Sequence, residues 1–209
     1  MSFTKSTALI LTLVAVLVGC AQLKTTTRFY TLNNPTQNQA ITVSKTTPIA
    51  IEVLPVSVPE RLKRPQLVLT SKDISQLKIL EQDRWSSSFN DELHDAFVSG
   101  ITNQLGAIDA SRGVRNHQPT YRIAIVLQQF NAMPGEQVQT NFAWTITRLS
   151  TGSSTTDNTT LTCQINSSKS VSNDIDAVVK GLREAVAEAT QAISANVSSL
   201  NNGEAGKCL

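Results

Sequence analysis

The chain has 209 residues, enough for one domain with a core of its own, and its formal charge of +2 excludes both the basic footprint of a nucleic-acid binder and an acidic tail. Charged residues are only 16% of it, below the usual quarter, and Ser, Thr, Asn and Gln fill the gap. Uncharged polar surface of this kind suits an envelope protein.

The N-terminus reads as a leader. Lys5 precedes an uncharged apolar run from Ala8 to Val18, the order and length of a signal peptide. Crossing a bilayer takes about 20 apolar residues; this run is well short of that and predicts no lasting transmembrane helix. Leu17-Val18-Gly19-Cys20 closes it. A small residue directly before cysteine resembles a bacterial lipobox. That resemblance implies that residues 1–19 are removed and that Cys20 carries the lipid at the new N-terminus. An ordinary secretory signal with a chance cysteine, or an uncleaved anchor, is the alternative reading. Ala21 stands where an aspartate tends to hold enteric-type lipoproteins in the inner membrane, so the same rule implies an outer-membrane anchor with the domain facing the periplasm. Several acyl chains hold far better than one, at about 0.8 kcal/mol per buried CH₂.

Residues 20–27 form a polar tether, and Arg28-Phe29-Tyr30-Thr31-Leu32 predicts a first strand, rich in aromatic and β-favouring residues. Asn33 to Thr47 reads as a loop. Ile49, Ile51 and Val53 alternate with Ala50, Glu52 and Leu54, a period of two that predicts a strand. Pro55, Pro59 and Pro65 bound a bend. Three residues with fixed φ and no amide donor predict a rigid, poorly paired protrusion suited to contact, or else a bend that only joins two strands. Gln66 to Thr70 and Leu77 to Leu80 predict a hairpin across Ser71-Lys72-Asp73.

A first helix follows. Ser88 is placed to cap it with Asp91 three residues on, Phe89, Leu93, Phe97, Ile101 and Leu105 form one stripe, and Gly106 ends it. Tyr121 to Phe130 and Val138 to Leu149 flank Met133-Pro134-Gly135-Glu136 and predict a long antiparallel hairpin. Ser150-Thr151-Gly152-Ser153 turns the chain into a polar strand that ends near Ile165. A second helix is expected from Asp174 to Val197, its Ile175, Val178, Val179, Leu182, Val186 and Ile193 on one face. The order predicts an α+β fold: a two-layer arrangement with a mainly antiparallel sheet and two amphipathic helices packed on one face. The organisation is a leader over 1–19, a lipidated tether over 20–27, a single domain over 28–200 and a flexible tail over 201–209.

Cys20, Cys163 and Cys208 are the three cysteines. With Cys20 acylated, an even pair remains in an oxidising compartment, which predicts a Cys163–Cys208 disulfide; two unpaired thiols, one in a strand and one on the tail, are the alternative. Catalytic chemistry finds no footing. His94 falls on the polar side of the first helix and His117 in a loop, both expected to be solvated. No G-x-S-x-G elbow, H-E-x-x-H pair or phosphate-binding glycine loop is present, and the cysteine spacing builds no zinc cluster. The chain is therefore expected to be no enzyme and to need no metal or other cofactor. Trp85 and Trp144 read as core, with a lipid- or partner-facing role as the alternative.

Four stretches then line up with one family: Arg28-Phe29-Tyr30-Thr31-Leu32, Pro59-Glu60-Arg61-Leu62-Lys63-Arg64-Pro65-Gln66-Leu67-Val68-Leu69, Arg84-Trp85 before a helix, and the closing helix. Together they resemble the PqiC-type ABC-transport auxiliary lipoproteins over essentially the whole mature chain. Ser87-Ser88-Phe89-Asn90 departs from the acidic-proline-leucine run expected there. The resemblance implies an outer-membrane lipoprotein that partners an MCE-type tunnel protein and its membrane-permease system in lipid transport and supports membrane integrity. It also leaves room for a ring-forming homo-oligomer. Arg61, Lys63 and Arg64 in the proline bend are the expected partner-binding residues. A lipoprotein that itself binds a lipid in a cleft, and a purely structural envelope lipoprotein, are the competing readings.

Overall fold

The longest run of period-two alternation folds as the expected hairpin in the computed structural model, which describes residues 26–33, 49–73, 75–111, 118–149 and 159–208. In chain order the elements are β1 (Arg28–Tyr30), β2 (Ala50–Val53), a 3-10 turn (Glu60–Leu62), β3 (Gln66–Thr70), β4 (Leu77–Trp85), α1 (Phe89–Leu105), β5 (Ile108–Asp109), β6 (Thr120–Met133), β7 (Gln137–Leu149), β8 (Thr160–Ser170) and α2 (Ile175–Asn201). The leader, most of the loop expected over 33–47, His117 and the Ser150–Ser153 turn lie outside the described residues.

The α+β class and the two helices stand as expected. The strands, however, divide into two sheets. One has five strands in the order β5-β2-β6-β7-β8, the other three in the order β1-β4-β3. The β6–β7–β8 ladder and the β3–β4 hairpin are antiparallel, while β2 pairs parallel with both β5 and β6, and β1 parallel with β4. A parallel partner requires a long crossover. Here the stretch from β3 through α1 carries the chain from β2 to β5, so the β3–β4 hairpin lands outside the five-stranded sheet.

On the inner face of that sheet Tyr121, Ile123, Ile125 and Leu127 of β6 meet Val138, Phe142, Trp144 and Ile146 of β7, all buried. α2 covers them. Val178, Val179, Leu182, Val186, Ile193 and Val197 are buried on its sheet-facing side, and six such aliphatics contribute roughly 9–18 kcal/mol before entropy is charged against them. The Asp174 carboxylate caps this helix by accepting the Ala177 amide at 2.7 Å. α1 packs beside α2 and over β2 and β5. A Cβ added at Gly100 would stand 2.7 Å from Cγ2 of Thr190, which sets how closely the helices approach. Gly106 ends α1 at φ 59°. Ser88 occupies the N-cap position, but its hydroxyl bonds the Asp91 carboxylate instead of a helix amide, correcting the expected capping box.

Both tryptophans are core. Trp85 stacks on Phe89 at 5.1 Å between centroids, and Trp144 donates its indole N–H to Asn196 Oδ1 at 3.0 Å. The tail corrects another expectation. Instead of hanging free, residues 204–208 are held by a Cys163–Cys208 disulfide with Cα atoms 5.3 Å apart, by Asn196 Nδ2 donating to the Lys207 carbonyl at 2.8 Å, and by Gly206 lying against Leu161.

Candidate functional site

The N-terminal end of the described domain is bolted down. Cys20 lies outside the described residues, but residues 28–31 are held by groups from β4 and α2. Arg28 Nε reaches Asp83 of β4 at 2.7 Å, Tyr30 donates its hydroxyl to Asp176 of α2 at 2.9 Å, and Arg183 of α2 donates to the Thr31 carbonyl from Nε at 3.0 Å and Nη2 at 2.5 Å. Burial, with the hydrogen bond to Asp176 added to it, raises the Tyr30 hydroxyl well above its usual range, so it remains a donor.

The deepest of these fastenings is Glu92, in the first turn of α1. Its carboxylate is buried and accepts the Leu32 amide at 2.8 Å, the Ser86 hydroxyl at 2.6 Å, and the Ser87 amide and hydroxyl at 3.1 and 2.9 Å. Burial pushes the carboxyl up, and the bonds from Ser86, Leu32, Thr31 and Ser87 outweigh it, so the group sits below its ordinary range and stays charged. Sequence reading missed Glu92. An acid in a helix's first turn usually signals only the dipole, and its donors lie 60 positions away at Leu32 as well as nearby at Ser86 and Ser87.

The proline segment departs from expectation. It is no unpaired protrusion, because the residues between the prolines carry the groups that the prolines lack. The Leu54 amide bonds the Ile123 carbonyl at 2.9 Å, the Ser57 amide bonds Ile125 at 3.0 Å, and Leu127 donates back to Ser57 at 2.8 Å, so residues 54–57 prolong β2 along β6. Val56, Val58 and Leu62 are buried, alternating with exposed Pro55, Ser57 and Arg61. The 3-10 turn is closed by Leu62 N–H on the Pro59 carbonyl at 2.9 Å, and Pro65 accepts the Trp85 amide at 2.7 Å. Of the three expected partner-binding cations, Arg61 and Lys63 are exposed and Arg64 is half-buried. Lys63 pairs with Glu60 at 2.9 Å. The Arg64 Nε is buried without a hydrogen-bond partner. The result is a small exposed patch with Arg61 and Lys63 on a firmly packed base.

His94 is not free in solvent as expected. Its Nε2 lies 3.2 Å from the Val53 carbonyl and its Nδ1 3.4 Å from Asp95, tying α1 to β2. Among the described residues no cluster of His, Cys, Asp and Glu is placed to hold a metal ion, and no helix is long and apolar enough to cross a membrane. A cleft of about 560 Å³ opens between the β3–β4 hairpin, the β6–β7 turn and the start of α2.

A family model described as the ABC-type transport auxiliary lipoprotein component matches residues 30–194. A solved structure titled as an uncharacterized protein is similar at 18% identity and a TM-score of 0.63, covering 82% of this chain and 99% of that one. A Xanthomonas campestris protein of the DUF330 family is similar at 14% identity and a TM-score of 0.55, covering 85% of this chain and 96% of that one. At these identities both likenesses concern the fold. No curated protein matches the chain.

Proposed function

The chain belongs to the ABC-type transport auxiliary lipoprotein family, and from that premise we propose that it is the outer-membrane subunit of an MCE-type lipid transport system, receiving the outer end of the periplasm-spanning tunnel protein. In this reading the role is mechanical. The lipid on Cys20 confines the domain to the membrane, β1 passes the tether's pull into β4 and both helices, and the patch with Arg61 and Lys63 meets the partner. No side chain needs to exchange a proton, and no enzymatic step belongs to it.

The observation that supports docking best is the contrast within the proline segment, where exposed Arg61 and Lys63 flank buried Leu62. A contact residue on a packed base loses little freedom on binding, and arginine is enriched at interfaces while rim charges steer encounter. The test is recovery of the MCE-type protein after cross-linking in envelopes, with wild type and with Arg61→Glu/Lys63→Glu. Surface charges of this kind change stability by less than about 0.5 kcal/mol. The variant should therefore melt with the wild type and recover clearly less partner. Equal recovery would remove this patch from the interface.

A further inference from the structure

The cleft beside the β3–β4 hairpin has the composition of a site for an amphiphile. Its volume of about 560 Å³ lies within the range of small-molecule sites. Leu69, Leu77, Leu80 and Ile175 contribute its aliphatic wall and Pro134 closes one end. Leu77 is 46% exposed and its neighbour Ile79 41%. Of these two, Leu77 lines the cleft, and a large aliphatic left half in water there is surface that an apolar ligand would cover.

Charge decides the kind of ligand. Among the described residues three ionisable groups line the cleft: Lys78, Asp83 and Asp174. Asp83 is taken up by Arg28 at 2.7 Å. Asp174 is taken up by the Ala177 amide and the Ser172 hydroxyl as the cap of α2. Asp174 keeps its negative charge at the helix cap, and among the described residues Lys78 makes no ion pair, so its ammonium is free to face a ligand beside the apolar wall. Thr70, Ser71 and Gln76 add neutral polar groups at the hairpin end.

We propose that this cleft holds an acyl chain of an anionic glycerophospholipid, with Lys78 facing the phosphate. An ammonium on a flexible stem suits a headgroup whose position varies with the depth of the chain. The site lies on the hairpin and the start of α2, away from the proline segment, so lipid and protein partner would occupy different surfaces. It asks nothing of the tunnel partner, and the test below is run without one.

The full chain is reconstituted in phosphatidylcholine vesicles doped with phosphatidylglycerol that carries a diazirine on its acyl chain, irradiated, and mapped by peptide mass spectrometry. A parallel sample carries the diazirine on phosphatidylcholine. The expected result is adduct formation concentrated in residues 69–80 and 173–175, stronger with the anionic lipid. Leu77→Trp fills the cleft from a half-exposed position and should lower that labelling about tenfold, the ratio given by about 1.4 kcal/mol. Lys78→Glu should erase the preference for the anionic lipid while leaving the melting temperature unchanged. Adducts confined to residues 26–33, or unchanged in Leu77→Trp, would overturn the site. Equal labelling by both lipids in the wild type would overturn the role of Lys78.

Discussion

A single buried carboxylate joins the N-terminal strand of this domain to its first helix. Glu92 accepts donors from the chain just after β1 and from the turn before α1, and a charged acceptor of this kind is worth about 1.5–3 kcal/mol per bond when its partners would otherwise be stranded. Glu92→Gln keeps the shape but turns an amide N–H₂ toward donors, and it should cost about 2 kcal/mol in urea unfolding at neutral pH. The pH dependence has a definite sign. Because the folded value is lowered from the ordinary 4.5, the unfolded chain takes up the proton first on acidification. The contribution is complete above that ordinary value and is lost as the pH falls through the lower folded one. The gap between wild type and Glu92→Gln should therefore narrow on acidification below pH 4.5. A gap independent of pH would mean that the charge on Glu92 contributes nothing.

At the scale of elements, the legible parts were those with a long period. The β6–β7 hairpin, the β3–β4 hairpin and both helices follow from alternation or from stripes, and Gly106 marked the end of α1 because a left-handed φ is cheap only for glycine. What stayed hidden depended on distant partners. β5 has two residues and no period to read. The separation into two sheets depends on where the crossover lands. The proline segment did hold a readable signal in Val56 and Val58, spaced by two, and it was outweighed by the missing donors of the prolines around them. The tail shows a related conflict. The count of cysteines pointed to the Cys163–Cys208 bond, yet a bond to the penultimate residue also means that the tail cannot be free. A link across 45 positions contributes roughly 4 kcal/mol by loop entropy. Reduction, or Cys163→Ala with Cys208→Ala, should lower stability by about 2–4 kcal/mol. Alkylation of the unfolded, non-reduced protein should modify neither Cys163 nor Cys208; modification of both would show that the bond does not form in the cell.

For the whole molecule, the family membership rests on residues 30–194 and the resemblance was already readable in the Pro59–Leu69 block. The candidate surfaces were readable only in part. Arg61 and Lys63 stand exposed as expected, but their firm footing comes from Ser57 pairing with β6, which no local pattern announces. The cleft was out of reach of sequence, since Ile175 comes to the Leu69–Lys78 pair of the hairpin only because the small sheet docks at the start of α2. In the proposed function a lipid-anchored domain presents this basic patch to a tunnel protein. The most direct measurement places a photoactivatable amino acid at position 61 in the full-length lipoprotein, irradiates living cells, and identifies the adduct, with the same residue at exposed Gln164 on β8 as the control. The expected result is an adduct with an MCE-type protein from position 61 that disappears in a Cys20→Ala background, because the domain would lose its place at the membrane. An adduct with an unrelated protein, the same MCE adduct from both positions, or an undiminished yield without the anchor would contradict it.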